Sequence, residues 1–131
     1  MENKFKYTAE FEINASSKLI FPYLSTATGL KTWFADKVLS EDEKLYNFIW
    51  DGRLQKARKV AQKTNHYVKF EFAPEEPTLV KDNSYLEFSL QENEITQTSF
   101  LKVVDYSEND SNDLQEMWKG LIETLKEKVG A

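Results

Sequence analysis

DSNDLQEMWKGLIETLKEKVGA, residues 110–131, is the stretch whose reading decides the fold. Leu114, Met117, Trp118, Leu121, Ile122, Leu125 and Val129 recur at helical spacing and draw one apolar stripe. The pattern predicts a long helix over about 112–128. Such a helix must rest its stripe on something apolar. The sequence before it alternates with period two and is rich in Phe, Tyr and Val, so the natural partner is the face of a curved antiparallel sheet. A helix laid across a curved sheet can enclose a pocket, and in this way the stretch bears on function. Gly120 interrupts the helix at a cost of about 1 kcal/mol relative to alanine, which suggests close packing or pocket space at that point.

Working outward, strands are expected at 37–39, 45–50, 54–62, 67–72, 85–90 and 96–105. The punctuation supports them. Asp51 and Gly52 form a tight hairpin, Thr64 and Asn65 a second, and the segment 91–94 a third. Pro74 and Pro77 with acidic neighbours mark a longer loop. At the other end of the chain, Phe5, Tyr7, Ala9, Phe11 and Ile13 alternate with polar residues as a half-buried strand. The capping types Asn14, Ser16 and Ser17 then open a short helix with Leu19, Ile20, Tyr23 and Leu24 on its apolar side and Pro22 distorting it. Thr28 and Gly29 open a second short helix, whose apolar side is Leu30, Trp33 and Phe34. With no repeat and no long linker, the 131 residues are expected to form one domain.

Composition narrows the function classes. The absence of cysteine removes disulfides, thiolate nucleophiles and cysteine-based zinc sites. The N-terminus carries charge and no apolar run, so neither a secretory signal nor a membrane span is expected, and the protein is read as cytoplasmic. With 22 acidic against 17 basic residues the net charge is -5, which disfavours nucleic acid as a partner because phosphate contacts need a positive field. An aromatic content of 14% points to a bulky core or a cavity wall.

Chemistry-bearing clusters are few. Arg53, Lys56, Arg58, Lys59 and Lys63 share one predicted strand, where period two sets Lys56 and Arg58 against Arg53, Lys59 and Lys63. If Gln55, Ala57, Lys59 and Ala61 face inward, the small alanines leave room and Lys59 can pair with a ligand carboxylate; a solvated outer face is the plainer reading. Asp105, Ser107, Asn109, Asp113 and Glu116 fit a calcium-loop register but lack its glycine, so Asp110, Ser111 and Asp113 are better read as caps of the long helix. His66 is the sole histidine and sits at a turn, away from any nucleophile motif. The six tyrosines supply hydroxyls that can orient a polar group. No catalytic residue, metal site or cofactor is assigned.

Four segments together carry a resemblance: GLKTWF at 29–34, FIWDG at 48–52, VVDYSEND at 103–110 and MWKGLIETLK at 117–126. In their order and spacing the chain resembles the START and Bet v 1-like superfamily, the SRPBCC or helix-grip group. It is most similar to small bacterial START-like proteins related to the activator of the Hsp90 ATPase. The glycine-rich turn of the plant allergen branch is absent. The resemblance implies an α+β fold in which a curved antiparallel sheet with two short helices grips a long C-terminal helix, with space between them for an apolar or amphipathic small molecule. The expected lining is Trp118, Leu121, Ile122 and Leu125 from the helix, with Val68, Phe70, Phe72, Leu86 and Phe88 from the strands and Lys59 as the polar group. Residues at these periods also build plain core. Three functions follow: a non-catalytic binding domain, a chaperone-cofactor-like domain with a protein partner, and a cyclase- or hydrolase-type enzyme. The lack of a dense acid, base or nucleophile cluster favours the first.

Overall fold

The computed structural model describes residues 5–73, 84–107 and 111–131. In chain order the elements are β1 (Phe5–Ile13), α1 (Ser17–Ser25), α2 (Ala27–Lys31), β2 (Lys37–Ser40), β3 (Leu45–Trp50), β4 (Arg53–Lys63), β5 (Tyr67–Phe72), β6 (Tyr85–Asn93), β7 (Thr98–Ser107) and α3 (Ser111–Val129). The strands form one antiparallel sheet in the order β1-β7-β6-β5-β4-β3-β2. From β2 onward this is a meander of hairpins. The two short helices carry the chain from β1 at one edge to β2 at the other, and α3 returns across the inner face.

Local chemistry explains the turns. Asp51 and Gly52 both adopt positive φ, at 50° and 78°, the backbone a two-residue hairpin needs to match strand twist. Asn65 turns the next hairpin at φ 66°. The third turn lies further along than the sequence suggests. β6 runs on to Asn93, whose side-chain oxygen accepts the amide of Ile95 at 3.0 Å, and Gln97 closes the turn at φ 56°. The second helix also begins earlier than expected, at Ala27, because the Thr26 hydroxyl caps it by accepting the Gly29 amide at 3.0 Å. Trp33 and Phe34 therefore follow α2 instead of lying within it.

The inner face of the sheet and the stripe of α3 meet as expected. Leu114, Trp118, Ile122 and Leu125 are buried, as are Ile20, Phe21 and Leu24 of α1 and Leu30 of α2. In α1 the buried flank includes Phe21, while Leu19 is exposed. Gly120 turns outward: a Cβ there would meet nothing within 4 Å, so it marks neither close packing nor a pocket. Gly29 is the glycine that closeness demands, since a Cβ would stand 2.2 Å from the Pro22 carbonyl oxygen. It lets α2 rest directly on the backbone of α1.

Candidate functional site

The expected lining residues divide by position. Trp118, Ile122, Leu125, Val68, Phe70, Leu86 and Phe88 come together between α3 and the sheet, none more than 2% exposed. Phe72 and Leu121 are half-buried at the margin of this core. Side chains fill the space between them. Phe34 stacks on Trp118 with ring centroids 5.7 Å apart, Trp33 tilts against Phe88 at 5.8 Å, and Phe88 meets Trp118 edge-on at 5.8 Å. Phe48 joins Phe34 to Phe70 through edge contacts of 5.5 and 5.8 Å. Such tilted and edge-on pairs suit the ring quadrupoles and hold the cluster rigid.

The indole N–H of each tryptophan is used as a tie. Trp33 donates to the Tyr23 carbonyl at 2.8 Å, Trp50 to the Phe34 carbonyl at 2.7 Å, and Trp118 to Asp105 Oδ2 at 2.9 Å. Asp105 lies on the inner face opposite Tyr7 of β1. Burial pushes its carboxyl above the ordinary aspartate value, while hydrogen bonds from Trp118 and Ser107 draw it back. The Tyr7 hydroxyl is raised by burial and then by the neighbouring Asp105 charge.

Lys59 does point inward, with Gln55 and Ala57. Its ammonium donates to the Ser25 carbonyl and to Gln62 Oε1, each at 2.8 Å, and lies 5.2 Å from the centre of the Tyr46 ring. Ala61 does not share that face. A bulge between Lys59 and Ala61 shifts the register against β5, so that Gln62 pairs with Val68 and Lys63 with Tyr67. The extra residue reverses the alternation and carries Ala61 and Lys63 outward.

At one end of the filled interior an open groove of about 430 Å³ runs between α3 and the segment joining α2 to β2. Its floor is Trp33 and Phe34, its sheet side is Trp50, and its helix side is Met117, Leu121 and Thr124. Lys31, Thr32 and Asp36 stand on the rim. Of the expected lining residues only Leu121 is part of it. The spacing 117, 121, 124 explains the helix side, one flank of the stripe whose other flank enters the core. Trp50 belongs to FIWDG, and Trp33 and Phe34 to GLKTWF, so the quoted motifs contain much of the groove. Nothing in their spacing shows that they meet.

No tyrosine lines the groove. Tyr46 donates its hydroxyl to the Ser25 carbonyl at 3.0 Å and Tyr23 to the Lys128 carbonyl at 3.1 Å. Tyr67, on the outer face, is pushed up to about 12 by burial and then by Glu87. His66 is exposed at its turn. Among the described residues no three His, Asp or Glu side chains converge as a metal site. Asn109 of the calcium register and Asp110 of the expected cap lie outside the described residues.

Residues 1–131 match the family profile of the START-like superfamily domain, and the chain belongs to that superfamily. Its fold is similar to that of the Aha1 dimer protein from Colwellia psychrerythraea, with TM-score 0.77 and 18% identity over 95% of this chain and 96% of that one. BfR322 from Bacteroides fragilis is 33% identical, with TM-score 0.62 over 98% of this chain and 92% of that one. DynU16, a protein in the dynemicin biosynthetic locus, aligns at TM-score 0.76 and 10% identity over 96% of this chain and 47% of that one. No functionally curated protein matches the sequence. The α+β helix-grip architecture expected from the sequence is thus the architecture of the family, a fold suited in general to binding ligands. No helix among the described residues is long and apolar enough to cross a membrane.

Proposed function

We propose that this domain binds a small apolar or amphipathic molecule at the mouth of its grip, in the groove bounded by Trp50, Met117 and Leu121, without turning it over. The observation that carries the reading is the groove itself. At about 430 Å³ it has the volume of a small-molecule site, roughly 300 to 1,000 Å³, and aromatic and aliphatic side chains form its walls. The interior behind it is occupied by Trp118, Phe88 and Phe34, so a ligand rests against this cluster and does not replace it. Among the described residues turnover has no evident agent there. The rim, among the described residues, carries one carboxylate, Asp36, and its Oδ2 accepts the Asp51 amide at 2.8 Å.

The test is a titration with fatty acids, sterols and aromatic polyketide-like compounds, followed by tryptophan emission and melting temperature. A binder present at about 100 times its Kd should add about 2.7 kcal/mol of apparent stability. Leu121→Trp, which fills the groove, should abolish the effect. If no compound shifts either signal, or if Leu121→Trp responds as the parent does, the reading fails.

A second reading, an interaction domain like a chaperone cofactor, is favoured by one feature. On the outer face of β2, β3 and β4, Leu39, Leu54 and Val60 are 59%, 51% and 41% exposed beside Lys37, Lys56 and Arg58. Exposed apolar residues gathered on one face are a common mark of protein contact. Ligand-induced shifts that persist in the double variant Leu39→Glu, Leu54→Glu would assign small-molecule binding to the groove and leave the outer face for a partner.

A further inference from the structure

We infer that the ligand of this groove is an amphipathic anion, its apolar body on Trp50, Met117 and Leu121 and its acidic head at the ammonium of Lys31. The inference rests on the groove being a binding site and concerns the class of molecule it takes. Among the described residues two charged side chains, Lys31 and Asp36, belong to the groove. Asp36 is already engaged, because its carboxylate holds the amide of Asp51 and so secures the turn between β3 and β4. That bond ties Asp36 to the β3–β4 turn.

Lys31 has no comparable engagement. A lysine in the last turn of a helix ordinarily serves the terminal carbonyls. Here those carbonyls are satisfied by others. The Gly29 oxygen accepts the Thr32 amide at 3.1 Å and the Thr32 hydroxyl at 2.6 Å, and the Leu30 oxygen accepts the Phe34 amide at 2.8 Å. Lys31 is exposed and has no ion-pair or hydrogen-bond partner among the described residues. The helix side of the groove presents Met117, Leu121 and Thr124, none of them acidic. On a chain of net charge -5, an unengaged ammonium beside an apolar wall is a local exception to the prevailing field. An oxyanion reaching it would gain a charge-assisted hydrogen bond while its apolar part covers the groove.

The test uses two matched pairs that differ only in the head group. 1-Anilinonaphthalene-8-sulfonate is compared with N-phenyl-1-naphthylamine, and decanoate with decanol, so that sulfonate and carboxylate heads on aromatic and alkyl bodies are all sampled. For the parent protein the anion of at least one pair should bind about tenfold more tightly than its neutral twin. Raising the salt from about 50 mM to about 500 mM should narrow that preference. Lys31→Gln should bring the ratio to about one with little loss of the neutral compound, and Lys31→Arg should restore most of it; melting curves confirm that these surface variants fold. Leu121→Trp should weaken both members of each pair. Equal binding of anion and neutral twin by the parent, or a preference that survives Lys31→Gln, overturns the inference while leaving the groove as a site. If neither member of either pair binds, the groove reading itself falls and the inference with it.

Discussion

At the scale of single residues, the two glycines of the helices make opposite predictions. Gly29→Ala would drive a Cβ to 2.6 Å from the Tyr23 Cα and closer still to the Pro22 oxygen, both rigid backbone. Forcing α2 off α1 should cost about 1–3 kcal/mol in urea denaturation. Gly120→Ala meets open space on an exposed helical turn and should gain about 1 kcal/mol. If both variants unfold at the parent's midpoint, the close approach of the two helices is wrongly assigned. The sequence shows that both are helical glycines, but only packing tells the tight one from the free one. Asp105 supplies a pH prediction. Because its carboxyl is raised in the folded state, its favourable contribution to folding is present below the unfolded aspartate pKa and is lost as pH rises through the folded value. At neutral pH the buried charge therefore disfavours the native state. Asparagine can still accept from the Trp118 indole and cannot ionise, so Asp105→Asn should melt higher than the parent at neutral pH. That gain should vanish as pH falls into the ordinary aspartate range. An equal gain at every pH would sink this account.

At the scale of elements, the end of α1 shows how the sheet completes a helix. No basic residue lies in its last turn, yet its Ser25 carbonyl accepts both the Tyr46 hydroxyl of β3 and the Lys59 ammonium of β4. The strand thus sets a cation at the negative end of the helix. Two donors on one acceptor predict a non-additive pair. Tyr46→Phe or Lys59→Met alone leaves the oxygen with a partner, while the double variant leaves it buried and unpaired. The double should exceed the sum of the singles by about 1–3 kcal/mol in chemical denaturation; strict additivity would show that the donors act separately. Strands β3 and β5 could be read to the residue because their alternation is clean and turn residues bound them. In β4 the sequence left the facing of Gln55, Ala57 and Lys59 open between two parities, and it gave no sign of the bulge. Register depends on which β5 residue stands opposite, and nothing in the β4 sequence records its partner.

At the scale of the whole molecule, Trp33 and Trp118 join the short-helix segment, the sheet and α3 into one aromatic cluster, their ring centroids 6.3 Å apart. They are 5% and 1% exposed, as their apolar settings in the sequence suggest. Truncating either to alanine should cost about 3–5 kcal/mol. The double variant should cost less than the sum, since each removal loosens the packing around the other. Single variants as stable as the parent would show that the cluster does not hold the fold. The sequence by itself determined the order of elements and the helix over the sheet, because period-two and period-3.6 patterns and turn residues act locally along the chain, and its four quoted motifs carried the resemblance to the superfamily. Only the tertiary structure decided that the space inside the grip is filled and that the open volume lies beside Trp50 and Leu121. Whether facing side chains leave a void depends on how Phe34, Phe88 and Trp118, brought from distant parts of the chain, interdigitate, and no one-dimensional pattern contains that volume.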